Sequence, residues 1–461
     1  MVNFISKLRL CFLPNPTMYL LLLMAFLQSA CMKPQPEELL GVNGGTPTQR
    51  VHHGGGLPMI VVANPGNYND IQPSLQAAID NAVAGSIISI PAGTFVLNKS
   101  IVVTKFISIK GAGMDLTALY RSETVPDSTL TGPGWETMFL FNINNTASSN
   151  IVISDMSLKS KKPSASPGDG GSLAADFGIS MVRCVDFSIT RCRFENFGNA
   201  AISVDHDDAI AAGLIYKNEF THNFKGFDGL GLGYGVVVYG ANKQWISNPG
   251  FGSANFIFIE DNTFNYHRHS VAAGGCGLYV FRYNTVNNNL LSQAIDAHEA
   301  RLTGLNFYST RAVEVYNNQV INTLSKDGNP IVQGGSALLL TERAIHIRGG
   351  EALIHNNVVQ GFRFAVSVEN YLLSGIQPYP VFTQIGYNSG VAFGPGHSGA
   401  DLPQGDGDVF VWNTTFTPVI GQISSGAFYN YQPQYFVEGR DFHLIMKPAY
   451  TSYIYPHPRR I

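Results

Sequence analysis

Titratable side chains are scarce in this chain of 461 residues, 13% of which are Asp, Glu, Lys or Arg, yet three short groups concentrate them. The first is spread over apolar runs: Asp296-Ala297-His298, His346-Ile347-Arg348 and Ser367-Val368-Glu369. Alternation of polar and apolar residues puts the polar ones on one face of a strand. There Asp296 can orient and charge-stabilise His298 or His346, leaving an imidazole as acid or base. Arg348 is suited to neutralising a substrate carboxylate or abstracting a proton, and Glu369 to acting as a general acid. Asp296, His298 and His346 are also metal-ligand types, although Asp-x-His alone is a weak signal. The second group is Asp205-His206-Asp207-Asp208. Asp205, Asp207 and Asp208 suit Ca2+, the one cofactor candidate, with catalysis, substrate binding by Asp205 and a solvated turn as alternatives. The third, His267-Arg268-His269, reads as a cationic wall or as an exposed loop.

These residues sit on a loose internal repeat. One strand type ends in an asparagine turn, as in Phe256 to Asn262, Leu278 to Asn284, Ala312 to Asn318 and Glu351 to Asn357. An apolar residue follows two places on: Phe220, Phe264, Val286, Val320 or Val359. A second type comprises Ala201 to Asp205, Gly235 to Tyr239, Ser270 to Ala273, Ala294 to His298, Ala344 to Arg348 and Ala365 to Glu369. Strands that recur in one direction stack about 4.8 Å apart, so Asn218, Asn262, Asn284, Asn318 and Asn357 can form a hydrogen-bonded ladder. Period two then predicts an outward column of Tyr239, Gly274, His298, Arg348 and Glu369, with Asp296 and His346 beside it. The small Ala272 and Gly274 leave a trough there for an extended ligand. Glu260, Arg282, Tyr316 and His355 predict a second outward column, read as a structural ion-pair ladder.

The coils from Ile87 to Asn370, with their Asn turns, resemble the pectin-lyase-like superfamily. That resemblance implies an all-β, single-stranded, right-handed parallel β-helix with three strands per coil. An amphipathic helix over Asp70 to Ala84 reads as its N-terminal cap. The segment Gly439 to Pro458 is similar to tails of bacterial β-helix proteins and names no activity. The superfamily's first sheet commonly bears the active site, so polysaccharide or oligosaccharide is the expected ligand and lyase or glycoside hydrolase the expected chemistry. Asp296, His298, His346, Arg348 and Glu369 are the catalytic candidates; Asp205, Tyr239, His267, Arg268 and His269 are the substrate-binding ones. The sequence contains neither the Asn-Thr-Asp, Gly-His-Gly and Arg-Ile-Lys set of polygalacturonases nor the Arg-x-Pro-x-x-Arg segment of pectate lyases, so neither mechanism carries over. A non-catalytic glycan-binding or adhesive protein is the alternative, and a fibre component a third.

The ends concern location. Residues 1–30 carry Lys7 and Arg9, an apolar run from Met18 to Leu27, then Ser29 and Ala30, which is the form of a signal peptide. Leu27-Gln28-Ser29-Ala30-Cys31 resembles a bacterial lipobox with Cys31 as the lipidated residue, although Gln28 departs from it. The expectation is an exported protein, either a lipoprotein of the outer membrane or cell surface or a periplasmic or secreted one. Any membrane contact runs through that anchor. Residues 31–57 read as a flexible tether, 58–120 as cap and first coils, 121–410 as the body and 411–461 as final coils and an extended tail. A net charge of −3 gives no basic field for nucleic acid. Cys184, Cys192 and Cys276, an odd number with no metal-type spacing, read as small apolar residues packed between strands.

Overall fold

Five asparagines hold the coils in register. The backbone N–H groups of Asn218, Asn262, Asn284 and Asn318 each donate to the side-chain oxygen of the next asparagine at 2.9–3.1 Å, ending on Asn357. Each amide nitrogen also donates to a carbonyl of the preceding coil, at Ile189, Ile215, Ile259, Phe281 and Val315. The residue before each asparagine, from Lys217 and Asp261 to Tyr283, Asn317 and Asn356, has φ between 54° and 56°. This left-handed step bends the chain, and the asparagine satisfies the backbone groups the bend would leave buried and unpaired.

The structure is a computed structural model and describes residues 58–121, 136–143, 150–160, 176–205, 212–223, 233–240, 246, 248–287, 289, 293–298, 309–323, 343–369, 408–418, 426–431, 433 and 436–460. Within them lie two parallel sheets, one of 20 strands and one of 10. The larger carries two ladders, on either side of the asparagine bends. One runs through Gly213–Tyr216, Ile257–Glu260, Leu278–Arg282, Ala312–Tyr316 and Glu351–His355; the other through Glu219–Thr221, Thr263–Asn265, Thr285–Asn287, Gln319–Ile321 and Val358–Phe362. The smaller sheet passes from Ala200–Asp205 through Tyr234–Tyr239, His269–Gly274, Ile295–Ala297 and Arg343–Ile347 to Phe364–Val368. Stacking in register gives each interior position a column of like residues. Phe194, Phe220 and Phe264 are piled at 5.1 and 4.5 Å, and Val286, Val320 and Val359 continue the file. Cys184, Cys192 and Cys276 are buried.

Among the described residues there is one α-helix, α1 (Gln72–Asn81), shorter than the expected span. Asp70 accepts the N–H of Gln72 at 2.9 Å, and Leu75 and Ile79 face the core. Gln76 does what a further strand would do. Its amide donates to the Val102 carbonyl and accepts the Val102 N–H, both at 2.9 Å, on the end strand Ile101–Val103 of the smaller sheet. Open edge groups of this kind invite pairing with another chain.

The C-terminal segment folds back over the outer column of the larger sheet. There Arg282 donates to Glu260 at 2.7 Å, to the Tyr316 hydroxyl at 2.8 Å, and to the carbonyls of Tyr453 and Ile454 at 2.7 and 3.0 Å. Tyr450 donates to Glu314, and Arg460 pairs with Glu260 at 2.5 Å. The column read as an ion-pair ladder is therefore sealed: Glu260 and Arg282 are 0% exposed.

Candidate functional site

The outer face of the smaller sheet carries three columns, of which period two predicts two. Ser203, Val237, Ala272, Asp296, His346 and Ser367 lie in register along one. Two residues further along each strand come Asp205, Tyr239 and Gly274, followed by His298, Arg348 and Glu369, whose N–H groups continue the ladder to Ala273, Ala297 and Ile347. A Cβ built on Gly274 would stand 3.8 Å from the Cβ of His298 and 3.9 Å from the Tyr239 ring, so the small residue opens a notch between them.

The third column arises where alternation breaks. Ala201, Ala294, Ala344 and Ala365 all belong to the core, although strict alternation with Ile202, Ile295, Ile345 and Val366 would put them outside. A small residue accepts this double inward turn, and the residue before it goes to the outer face. Tyr234, His269, Arg343 and Phe364 are carried there. Arg343 escaped the sequence reading for this reason, and the visible signal was the alanine repeated one place later.

These residues converge on a carboxylate. Asp296, 0% exposed, accepts Arg348 Nε at 3.1 Å and Nη2 at 2.5 Å, one on each oxygen, and lies 2.9 Å from His298 Nε2. Arg348 Nη2 is also 2.7 Å from His298 Nδ1. One tautomer satisfies these contacts: Nε2–H donates to Asp296, and Nδ1 accepts from Arg348. Burial pushes the Asp296 carboxyl up, but the Arg348 charge and then His298 outweigh it and hold the group well below the usual carboxylate range. His346 Nδ1 lies 3.9 Å from the other Asp296 oxygen and has no hydrogen-bond partner among the described residues. Its Nε2 is 3.0 Å from Arg343 and 3.2 Å from Glu369, and burial pushes the imidazole down to about 4. Glu369 is bonded to Arg343. Burial raises this carboxyl, but the hydrogen bond with His346 and the Arg343 charge reverse the shift, so it too is held ionised.

Several expectations need correction. The outer face is not a solvated trough: Asp296 and His346 are fully buried, and accessibility is confined to the rim, where the side chains of His298, Glu369 and Arg348 are 17, 15 and 6% exposed. Glu369 is tied to Arg343 as an anion, which removes it as a ready general acid. His267 is no cationic wall. It is buried edge-on against Phe264 at 5.7 Å, and burial pushes it down to about 3. Arg268 does reach the outer face, donating to the Tyr234 hydroxyl at 2.8 Å. His269 lies inside the cluster, its ring 6.2 Å from that of His298. Asp205 and Tyr239 are partly exposed along the same column. His206, Asp207 and Asp208 lie outside the described residues, as do Cys31 and the leader and tether, so the Ca2+ group has no geometry to report. The trio of metal-ligating types that does gather is His269, Asp296 and His298, with His269 in the place expected of His346.

No protein-family profile matches the chain, and no curated protein does. Solved structures similar to it include an alginate lyase from Paenibacillus sp. str. FPU-7, with 12% identity and TM-score 0.43, over 84% of this chain and 99% of that one. A DFA-IIIase from Arthrobacter chlorophenolicus A6 is similar at 12% identity and TM-score 0.44, over 80% of this chain and 84% of its own. So is ORF18 of Geobacillus virus E2, with 14% identity and TM-score 0.38, over 80% of this chain and 63% of the viral one. At such scores the chemistry has to be read from the chain's own residues.

Proposed function

We propose that this chain is an exported polysaccharide lyase that acts on an acidic, uronate-containing polymer, built on a right-handed parallel β-helix with three strands per coil. The observation that carries the reading is the contact of His298 with Asp296 and Arg348 at the accessible rim of a buried cluster. An imidazole oriented by a buried carboxylate is a poised proton acceptor, and a guanidinium beside it recognises a carboxylate. A uronate carboxylate that reaches Arg348 competes for the hydrogen that His298 Nδ1 accepts, and so uncovers the base when substrate is present. His298 then takes the proton from the carbon next to that carboxylate. The electron pair forms a carbon–carbon double bond as the adjacent carbon–oxygen bond breaks, and the imidazolium returns the proton to the departing oxygen.

The glycosidase alternative needs one protonated carboxyl facing a second, ionised one. Asp296 beside Arg348, and Glu369 beside His346 and Arg343, are both held as anions, which weighs against it. The signal-like leader and the lipobox-like site at Cys31 support export, with lipid anchorage as the proposed attachment.

Incubation of the mature protein with a panel of acidic and neutral polysaccharides, with ultraviolet absorbance and reducing ends recorded together, tests the reading. Unsaturated product from an acidic polymer is expected. Reducing ends without new absorbance would replace lyase by hydrolase, and saturable binding without turnover would make this a glycan-binding protein.

A further inference from the structure

His269 takes no part in the proton transfer described above, yet it is built into the same cluster. Its Nδ1 meets the backbone carbonyl of Gln293, so that nitrogen carries the proton and Nε2 presents a bare lone pair. The residue is 1% exposed, and Nε2 has no hydrogen-bond partner among the described residues. An imidazole fixed through one nitrogen by a carbonyl, with the other bare, is arranged as metal-ligating histidines are. Among the described residues, His269, Asp296 and His298 are the one trio whose possible ligand atoms all lie within 4.8 Å of one another. Two imidazoles and a carboxylate form a donor set for Zn2+ with a further position left open. Ca2+ takes six to eight oxygens and is poorly served by nitrogen ligands.

A positive group already stands there. Arg348 Nη2 is 2.5 Å from Asp296 Oδ2 and 2.7 Å from His298 Nδ1, so it holds two of the three donors that an ion shared by the trio would need. Arg348 reaches in from the rim, where its side chain keeps 6% exposure while that of Asp296 has none. Among the described residues, Arg348 is the group that an ion entering between Asp296 and His298 would have to displace.

We propose that His269, Asp296 and His298 bind a divalent transition-metal ion of the Zn2+ class in competition with Arg348. Binding occupies His298 and displaces Arg348 together. On the lyase reading, with which this consequence stands or falls, the ion is therefore an inhibitor rather than a cofactor.

The test uses full-length mature protein treated with chelator and then dialysed. Zn2+ is titrated by calorimetry, and Co2+ by its visible absorption bands. One equivalent is expected in the wild type beyond what His269→Ala retains, with folding of the variant checked by circular dichroism. Arg348→Met, which removes the competitor, is expected to tighten binding roughly tenfold or more. Equal retention by wild type and His269→Ala overturns the proposal, as does Arg348→Met binding no more tightly than wild type. His269→Gln, which keeps polarity but not the ligand geometry, guards against a folding defect in the alanine variant. Turnover separates the two readings. Stoichiometric Zn2+ that leaves lyase activity intact keeps the site and removes His298 as the base, whereas activity with no Zn2+ bound keeps the base and removes the site.

Discussion

Two outer faces of this molecule bury charge, and they do so in opposite ways. On the larger sheet, Arg282 is matched to Glu260, the Tyr316 hydroxyl and two carbonyls of the returning C-terminal segment, and Arg460 adds a second cation to Glu260. On the smaller sheet, Asp296 draws in Arg348 and His298, while His269 Nε2 and His346 Nδ1 have no partner among the described residues. Unpartnered nitrogen alone does not mark a site: both ring nitrogens of His355 lack partners, and that ring is closed between Tyr316 at 4.7 Å and Trp412 at 4.3 Å. What distinguishes the smaller sheet is bare imidazole nitrogen beside a buried anion, close to a rim that solvent reaches. One arrangement is closed by its own chain, and the other leaves imidazole nitrogens unpartnered among the described residues.

The strongest way to break this contrast is through turnover. His298→Ala is expected to lower lyase activity by roughly 10²–10⁴-fold, since that is what general acid–base catalysis supplies, with little change in the unfolding midpoint. Activity that survives this change and Arg348→Met would remove the site. Arg282→Met should do the reverse, costing about 3 kcal/mol in denaturant unfolding, because Glu260 keeps Arg460 while the carbonyls of Tyr453 and Ile454 lose their donor. Folded Arg282→Met protein should retain its chemistry; a selective loss of activity would mean that the two faces are coupled. Asn284→Ala, mid-ladder, is expected to cost about 1–3 kcal/mol, because it leaves the Asn262 N–H and the Ile259 carbonyl unpaired.

The smallest effect is on pH. Burial lowers His267 to about 3 and His346 to about 4. The unfolded chain therefore binds protons that the folded one refuses, and stability should fall as pH drops from about 6.5 toward 4. Urea midpoints measured across that window should flatten in His267→Leu; an unchanged slope would mean that His267 does not contribute.

How much of this was legible in the sequence depends on the element. The Asn ladder and the file of Phe220, Phe264, Val286, Val320 and Val359 were readable because a fixed backbone bend demands the same residue type in every coil. The register of Asp296 with His346 followed from period two. Arg343 and the true position of His269 were not readable, because alternation fails where Ala344 and Ser270 sit, and no local pattern announces that step. Nor was the burial of Asp296 and His346, since it depends on side chains of other strands; Tyr431, one strand on in the same sheet, packs 4.3 Å from the Arg343 guanidinium with its ring 6.3 Å from that of His346.

The Gln76 side chain has a consequence for length. Parallel coils form a one-dimensional lattice, each layer offering the next the same row of donors and acceptors, and nothing in such a lattice says where to stop. By spending both amide functions on Val102, a single glutamine closes that row with its own chain. A row suited to pairing with another chain is thereby taken up, at that end of the smaller sheet, by the protein's own helix.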